Sequence, residues 1–293
     1  MKVGLDVGFG HVKVATQERV FKFPSWIGVW NEKDISDVQP ISFEGRDYVV
    51  GESARFCTQR VELVDFETLL RYLPLIVEYV KRELGEEELE IGVGLAPRHY
   101  RRYKDSEEVR KKLSGFELVL PQGFGVLLDV EDELGIEEGE TVFVVDIGFN
   151  TVDYLLVSKQ NGKYFREGMA TIERAGVLQA VETFRSILPA ELGYIKNWSL
   201  SRLVKVFESG QVNVEGEKID LKSYRERAIE TYRTALLSRL KSEVGEAVLE
   251  SDKVVSAGGG AYLLGKLRKD AYVPSEPEFS NARGFLKALE RLR

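Results

Sequence analysis

Two short segments of the chain repeat one pattern of aspartate, glycine, phenylalanine and valine. Residues 6–13 read DVGFGHVK, and residues 146–153, about halfway along the chain, read DIGFNTVD. Each segment is flanked by short apolar runs, which predicts a strand, a tight turn and a second strand in both places. Glycines remove side chains from a turn and permit positive φ, so a phosphate can approach the backbone N–H groups closely. The repeated turn is therefore a candidate phosphate-binding element.

An aspartate begins each copy of this pattern. Asp6 and Asp146 come at the end of a predicted strand, and a carboxylate repels phosphate, so its natural partner is a divalent cation or the water around that cation. Two such turns facing each other would clamp a magnesium-bound nucleotide. Either copy alone also fits an ordinary hairpin with a glycine turn. Two copies in register, in two halves of one chain, favour the nucleotide interpretation.

A third glycine-rich segment lies near the C-terminus, where residues 253–261 read KVVSAGGGA. In this order the three segments resemble the phosphate-1 loop, the phosphate-2 loop and the adenosine motif of the actin, heat-shock chaperone and sugar kinase superfamily. The resemblance implies a strand that runs into a glycine turn and a helix. It also implies that the nucleoside lies against bare backbone at Gly258, Gly259 and Gly260.

Three shorter segments narrow the resemblance to the ParM-type bacterial and archaeal actin-like proteins. They are residues 23–25 (FPS), 50–54 (VGESA) and 279–285 (FSNARGF). The resemblance covers nearly the whole chain and is weakest in residues 26–47 and 189–224.

The fold that this resemblance implies is an α/β actin-like fold, with two ribonuclease H-like domains around a central nucleotide cleft and a small insertion subdomain in each. Domain I is expected over residues 1–138, with an insertion at about 24–65 and a C-terminal helix, 279–293, that packs back on it. Domain II is expected over 139–278, with an insertion at about 189–221.

The resemblance also implies roles for five side chains. Asp6 and Asp146 would hold a magnesium ion, largely through water, Lys13 would reach the β-phosphate, and Asp153 would help to order the attacking water. Gln122 follows a predicted strand and matches the position that orients this water; glutamine is too weak a base to remove a proton, so its role would be positioning. The alternatives are an exposed strand lysine for Lys13 and a polar helix-start residue for Gln122.

The predicted catalytic residues are thus Asp6, Gln122, Asp146 and Asp153, and the predicted metal-holding residues are Asp6 and Asp146. The predicted nucleotide contacts are the residues of the three glycine segments and the lysine: Gly8, Phe9, Gly10, His11, Lys13, Gly148, Phe149, Asn150, Thr151, Gly258, Gly259 and Gly260.

Composition limits the other classes of function. The chain has 293 residues, 43% of them hydrophobic, and a net charge of −7, so it can bury two cores and lacks the overall basic charge of a protein that mainly binds nucleic-acid backbone. No apolar run is long enough to span a membrane and no signal segment opens the sequence, so we expect a cytoplasmic protein. The basic stretch 98–113 is either a nucleic-acid face or a solvated surface helix. The single Cys57 is expected to be a packed thiol.

Apolar periodicity and turn signals predict the remaining elements. In the first half, helices are expected near 66–84, 98–113 and 122–134, with strands at 89–95 and 117–120. In the second half, strands are expected at 142–145, 151–157, 164–168 and 271–273, a small hairpin at 212–218, and helices near 173–187, 221–249 and 280–292.

The function that the resemblance implies is that of a nucleotide-dependent filament-forming protein, which binds and hydrolyses Mg-ATP, with GTP as the other candidate, in a cytoskeletal or plasmid-segregation role. Its partners would be further copies of itself and an adaptor protein. One alternative is a small-molecule kinase, which needs an aspartate base and larger insertions, whereas Gln122 stands at the water-orienting position. A chaperone ATPase would need a further domain after Arg293. A non-hydrolysing nucleotide-dependent scaffold would not need all three acidic site residues, Asp6, Asp146 and Asp153.

Overall fold

The computed structural model describes residues 1–35, 37–61, 63 and 65–292, which form two compact units. The first unit comprises Met1–Gly135 and a C-terminal stretch that begins at Glu278, and the second comprises Ile136–Pro277. Each unit has its own hydrophobic core of buried Val, Leu, Ile, Phe and Tyr side chains. None of the helices in the described residues is both long and apolar enough to cross a membrane.

The first unit is built on a five-stranded sheet with the order β3-β2-β1-β8-β9. The strands β1, β2 and β3 are antiparallel neighbours, whereas β8 and β9 are parallel to β1. A second sheet, β5-β6-β4-β7, lies within the predicted insertion. The elements up to Gly135 are β1 (Lys2–Val7), β2 (His11–Ala15), β3 (Val20–Pro24), β4 (Ile27–Val29), β5 (Ile41–Phe43), β6 (Arg46–Val50), β7 (Arg60–Val61), α1 (Phe66–Leu84), β8 (Glu90–Leu95), α2 (Pro97–Asp105), α3 (Glu107–Lys112), β9 (Leu118–Pro121) and α4 (Phe124–Leu134).

The helix expected over 98–113 is two helices. Ser106 has extended backbone angles and caps α3, because its side chain accepts a hydrogen bond from the N–H of Val109 over 3.3 Å. Serine is more favourable at the N-cap of a helix than in its interior, which explains why the helix is divided here. By contrast, α1 has the predicted bounds, with Asp65 as its N-cap and the left-handed Gly85 at its end.

The second unit has a four-stranded sheet, β12-β11-β10-β15, which repeats the order of the first four strands of the five-stranded sheet, β3-β2-β1-β8. Here β10, β11 and β12 are antiparallel neighbours and β15 is parallel to β10. Its elements are β10 (Thr141–Ile147), β11 (Val152–Gln160), β12 (Lys163–Ile172), α5 (Leu178–Ile187), α6 (Gly193–Lys196), α7 (Leu200–Ser209), β13 (Gln211–Val214), β14 (Glu217–Asp220), α8 (Lys222–Val244), α9 (Ala247–Glu250), β15 (Lys253–Ala257) and α10 (Ala261–Leu264).

Three expectations in this unit were wrong in extent. The helix expected over 221–249 is interrupted at Gly245, where φ is +62°. The strand expected at 271–273 is a single parallel bridge between Tyr272 and Val255. The helix expected from 173 begins only at Leu178, because the residues before it bond to another loop, as described below.

The last helix, α11 (Ser280–Glu290), packs against β1, β8 and α4 of the first unit. Glycines permit the close approach: a Cβ on Gly4 would overlap the carbonyl oxygen of Ala282, and one on Gly284 would overlap the carbonyl oxygen of Gly125. Beside these contacts, Arg283 donates from Nε and Nη2 to the carboxylate of Asp129 over 2.9 and 2.8 Å. The helix is thus part of the first unit's interior packing.

Candidate functional site

Asp6, Lys13 and Gln122, three of the predicted site residues, meet in the first unit. Asp6 is the penultimate residue of β1 and is 2% exposed. Lys13 lies directly opposite on β2, and its Nζ is 3.1 Å from Oδ2 of Asp6. The side-chain amide of Gln122 donates to the other carboxylate oxygen, Oδ1, over 2.5 Å. The end of β1, the middle of β2 and the turn after β9 therefore bring together a carboxylate, an ammonium group and an amide.

The loop beside this cluster is closed by its own backbone and held by Ser25. The N–H of Gly8 donates to the carbonyl of His11 over 3.1 Å. Ser25 donates from its hydroxyl to the carbonyl of Gly8 over 2.5 Å and from its backbone N–H to the carbonyl of Gly10 over 3.1 Å. With these carbonyls held from outside, the loop can offer N–H groups to an anion. The sequence marked Ser25 as part of a family pattern but gave it no role.

Residues at the tip of this loop are accessible. Phe9 is 40% exposed, and Gly10 and His11 are exposed. The rings of Phe9 and His99 are nearly perpendicular at a centroid distance of 6.1 Å, and His99 stacks on Phe66 at 4.2 Å. Burial, followed by the nearby Arg98 and Arg102, lowers the pKa of His99 to about 4. A neutral imidazole therefore supports the loop at neutral pH.

Gln122 occupies the turn between β9 and α4. Its backbone N–H donates to the carbonyl of Leu95 over 2.8 Å. The next residue, Gly123, has φ of +84°, which accounts for a helix that begins at Phe124 rather than at Gln122. The side chain of Asn281 accepts from the N–H of Gly123 over 2.9 Å.

In the second unit, Asp146 lies directly opposite Asp153 across β10 and β11. Directly opposed residues of an antiparallel pair project from the same face, and like charges there are unfavourable unless a cation or water is shared. Thr171 of β12 lies opposite Asp153 in turn. The row holds two carboxylates and a hydroxyl, whereas the equivalent row of the first unit holds Asp6, Lys13 and Lys22.

The loop between β10 and β11 is closed by the same backbone hydrogen bond as the loop between β1 and β2, and more hydrogen bonds support it from outside. The N–H of Gly148 donates to the carbonyl of Thr151 over 2.9 Å. The carbonyls of residues 148, 149 and 150 accept from the N–H groups of residues 177, 178 and 176, at 3.0, 2.8 and 3.1 Å. Tyr232 donates its hydroxyl to the carbonyl of Ala175 over 2.7 Å and so anchors this support. These bonds explain the late start of α5.

Gly176 is a residue that the sequence analysis missed. A Cβ there would come within 2.5 Å of the carbonyl oxygen of Phe149, so only glycine fits beneath the loop. A lone glycine before an apolar helix was the available signal. Phe149 itself is 44% exposed, as its counterpart Phe9 is in the first loop.

The three glycines after β15 have different surroundings. Gly258 has φ of +79°, and a Cβ there would overlap the carboxylate of Asp146. A Cβ on Gly260 would overlap the side chain of Ile147. Gly259 faces open space, with no atom within 4 Å of a Cβ. Two of these glycines are therefore required by packing against β10, and Gly259 alone leaves room on its exposed side.

The donor set suits magnesium, which prefers oxygen ligands, retains several waters and binds through one or two carboxylates together with phosphates. Asp146 and Asp153 supply opposed carboxylates in the second unit, and Asp6 supplies one in the first. Within the described residues, no group of three or more His, Cys, Asp or Glu side chains is arranged to hold a metal ion.

Comparisons with known proteins agree with this architecture. Residues 4–132 match the family model for the N-terminal domain of actin-like proteins, and residues 144–269 match the model for the C-terminal part of the archaeal MreB-like actin homologue. A search of curated proteins found no match.

Solved structures of actin homologues superpose over the whole chain. The archaeal actin homologue Ta0583 in complex with ADP has a TM-score of 0.77 at 19% identity, with 99% of each chain covered. A 15-stranded ParM filament from Clostridium botulinum gives 0.76 at 18%, with 99% of each chain covered. Bacillus thuringiensis ParM with ATP gives 0.63 at 15%, again with 99% of each covered.

At such low identity these structures establish the fold alone, and the predicted actin-like fold is confirmed. The two family models account for most of both units and specify the family. This chain belongs to the actin-like proteins.

Proposed function

We propose that this protein binds and hydrolyses a magnesium-bound nucleoside triphosphate and assembles with further copies of itself into filaments in the cytoplasm. The observation that carries the proposal is the meeting of Lys13 and Gln122 at Asp6, beside a loop whose carbonyls are held from outside. ATP is the expected nucleotide and GTP the other candidate. The solved structure of Ta0583 is a complex with ADP, and that of Bacillus thuringiensis ParM is with ATP.

Each group has a defined task in this proposal. Phosphoryl transfer depends mainly on positioning and charge neutralisation. The N–H groups of the two loops bind phosphate oxygens, and the ammonium group of Lys13 neutralises charge on the phosphate chain. Gln122 orients the attacking water through its side-chain amide. A bound magnesium ion would supply further charge neutralisation, and Asp6 and Asp146 would hold it, largely through its water shell.

The second carboxylate of the second unit has a different task. Asp153 lies opposite Asp146, so the pair can share a water molecule or a hydrated cation, and Asp153 accepts a hydrogen bond from the attacking water. A carboxylate is a stronger acceptor than the Gln122 amide oxygen. We therefore assign orientation of the water to both side chains and acceptance of its proton to Asp153.

Filament formation is proposed because solved structures similar to this chain include filaments. Filament structures of Clostridium botulinum ParM and of Alp12 resemble the chain over 99% of its length. Head-to-tail contacts between copies that do not close into a ring produce filaments. A cytoskeletal or plasmid-segregation role with an adaptor protein would follow from such assembly.

Light scattering of the purified protein with Mg-ATP, with Mg-GTP and without nucleotide tests the proposal, with phosphate release followed in parallel. We expect scattering to rise above a critical protein concentration only when nucleotide is present, and phosphate release to follow. A protein that stays monomeric at high concentration with either nucleotide, but consumes ATP faster when sugars or small acids are added, would instead be a kinase. Nucleotide binding without either phosphate release or assembly would indicate a scaffold.

A further inference from the structure

Asn281 connects the C-terminal helix α11 with the turn that carries Gln122. The side chain is buried, with Asn281 only 3% exposed, and its Oδ1 accepts the backbone N–H of Gly123 over 2.9 Å. Gly123 adopts a positive φ of +84°, a conformation that few other residues tolerate. The hydrogen bond therefore fixes the orientation of the peptide group that follows Gln122.

The surrounding backbone leaves this contact little freedom. A Cβ on Gly125 would come within 2.7 Å of the carbonyl oxygen of Asn281 and within 2.9 Å of its Cα. On the facing helix, a Cβ on Gly284 would overlap the carbonyl of Gly125. The first turn of α4 and the first turn of α11 thus touch through their main chains, so a shift of one is transmitted to the other.

Gln122 is consequently held on both sides of its Cα. Its own N–H donates to Leu95 over 2.8 Å, the next N–H donates to Asn281, and the side-chain amide then reaches Asp6 over 2.5 Å. A buried N–H group that loses its acceptor is costly, so the turn would rearrange to satisfy it. That rearrangement would move the amide away from Asp6.

We propose that Asn281 is a positioning residue for Gln122: through Gly123 it sets the point from which the Gln122 amide reaches Asp6. The part of this inference that concerns turnover rests on the proposed function, in which Gln122 orients the attacking water. The part that concerns the position of Gln122 does not.

The position of Gln122 is tested first, without nucleotide. The two side-chain amide protons of Gln122 are observed by NMR and assigned by their absence in Gln122→Ala. In the parent they should be shifted and slow to exchange, because the amide is buried and donates to a carboxylate. In Asn281→Ala they should move to the position of an exposed glutamine and exchange faster by about tenfold or more. Unchanged signals in a folded Asn281→Ala protein would overturn the inference.

Turnover is tested by a double-mutant cycle. Asn281→Ala should lower turnover by a factor no larger than about that seen in Gln122→Ala. Nucleotide affinity should stay within about twofold of the parent. In the Gln122→Ala background the same change should cost almost nothing, because the group that it positions is already absent. An equal loss in both backgrounds would mean that Asn281 acts only on the structure, and the inference would be wrong.

Arg283→Ala is the matched control. It removes the bidentate contact with Asp129 from the same pair of helices but leaves Asn281 and Gly123 in place. We expect a lower melting temperature with the turnover and the Gln122 signals of the parent. If Asn281→Ala does not fold, Asn281→Ser replaces it, with smaller changes of the same sign expected in both measurements and unchanged signals again counting against the inference.

The two failures can be told apart. If the Gln122 signals move in Asn281→Ala while the parent hydrolyses no nucleotide, the proposed function fails and the positioning by Asn281 stands. If the parent hydrolyses nucleotide while Asn281→Ala leaves both the signals and the turnover unchanged, the function stands and the positioning fails.

Discussion

Lys13 and Asp153 occupy the same register position in the two copies of the repeated hairpin, since each lies directly opposite the aspartate that is the penultimate residue of the first strand. The repeat has therefore kept one carboxylate in each copy and reversed the charge of its neighbour. In the first copy the ammonium group balances Asp6. In the second copy two carboxylates lie opposite each other on one sheet face, an arrangement that a cation or water between them would stabilise.

This difference in charge leads to a prediction for Asp146→Asn. The change removes one of two opposed carboxylates, so the protein without metal should be as stable as the parent or slightly more stable. Magnesium-dependent hydrolysis should be lost. Thermal melting with and without Mg-nucleotide, together with phosphate release, measures both effects. Hydrolysis at the parent rate would contradict the assignment of Asp146.

Asp6→Asn should also abolish magnesium-dependent hydrolysis, but with the opposite effect on stability. Asp6 is buried and accepts from both Lys13 and Gln122, so loss of its charge removes a part-buried ion pair and weakens both hydrogen bonds. We expect a cost of about 1–3 kcal/mol in the free energy of unfolding, measured by urea denaturation. Lys22→Met is a control on the same sheet, because the side chain of Lys22 is 49% exposed and pairs with Glu278. It should leave hydrolysis unchanged.

Gln122→Ala should slow hydrolysis by about one to three orders of magnitude, a few kcal/mol of barrier, with nucleotide affinity nearly unchanged. Filaments should then persist longer after assembly, because bound nucleotide is consumed more slowly. Single-turnover phosphate release and nucleotide titration separate the two quantities. Equal losses of binding and turnover would mark Gln122 as a residue that binds the nucleotide.

His99 should make stability depend on pH. Burial and two arginines lower its pKa to about 4, below the ordinary value of 6.5. Between these two pH values the unfolded chain binds a proton at His99, whereas the folded protein does not. The stability from the neutral imidazole is complete above about pH 6.5 and falls as the pH drops toward 4. Urea unfolding at pH 7 and pH 5 should show a larger loss for the parent than for His99→Phe, which keeps the stacking on Phe66. Identical losses in both proteins would exclude this role for His99.

Gly284→Ala should severely destabilise the first unit, because the added methyl group would overlap backbone atoms of Gly125, which cannot rotate away as a flexible side chain could. We expect at least about 2 kcal/mol. Gly115→Ala is the matched control, since a Cβ at Gly115 meets no atom within 4 Å. Its free energy of unfolding should change by less than about 1 kcal/mol. Comparable effects of the two substitutions would show that α11 can move away from α4.

Local patterns in the sequence predicted the features that depend on neighbouring residues. The repeated hairpins and the bounds of α1 were predicted in this way. The structure shows that short-range rules also account for those bounds, since Asp65 caps the helix and Gly85 ends it. The break between α2 and α3 was also readable, since Ser106 precedes two glutamates at the start of α3. The apolar residues on both sides obscured that signal.

The features that escaped prediction depend on contacts between distant parts of the chain. The late start of α5 results from bonds between residues 176–178 and the loop at 148–150. The role of Asn281 depends on Gly123, far away in sequence. The sequence indicated that Gly258 and Gly260 expose backbone to a nucleoside. It did not indicate that a side chain at either position would clash with β10. Residue types indicate which chemistry is available, whereas these supports depend on the complete fold.

The packing of α11 on glycine-lined strands also affects synthesis of the chain. β1 leaves the ribosome before the other elements of the two units, whereas α11 is made only after the whole of the second unit. During translation the faces of β1, β8 and α4 that later receive α11 therefore remain uncovered, although N-terminal domains usually fold first. The second unit, which is continuous in sequence, can complete its folding earlier. A nascent chain stalled before Ser280 would hold a finished second unit and an unfinished first one, and would be open to chaperones and proteases at that bare surface.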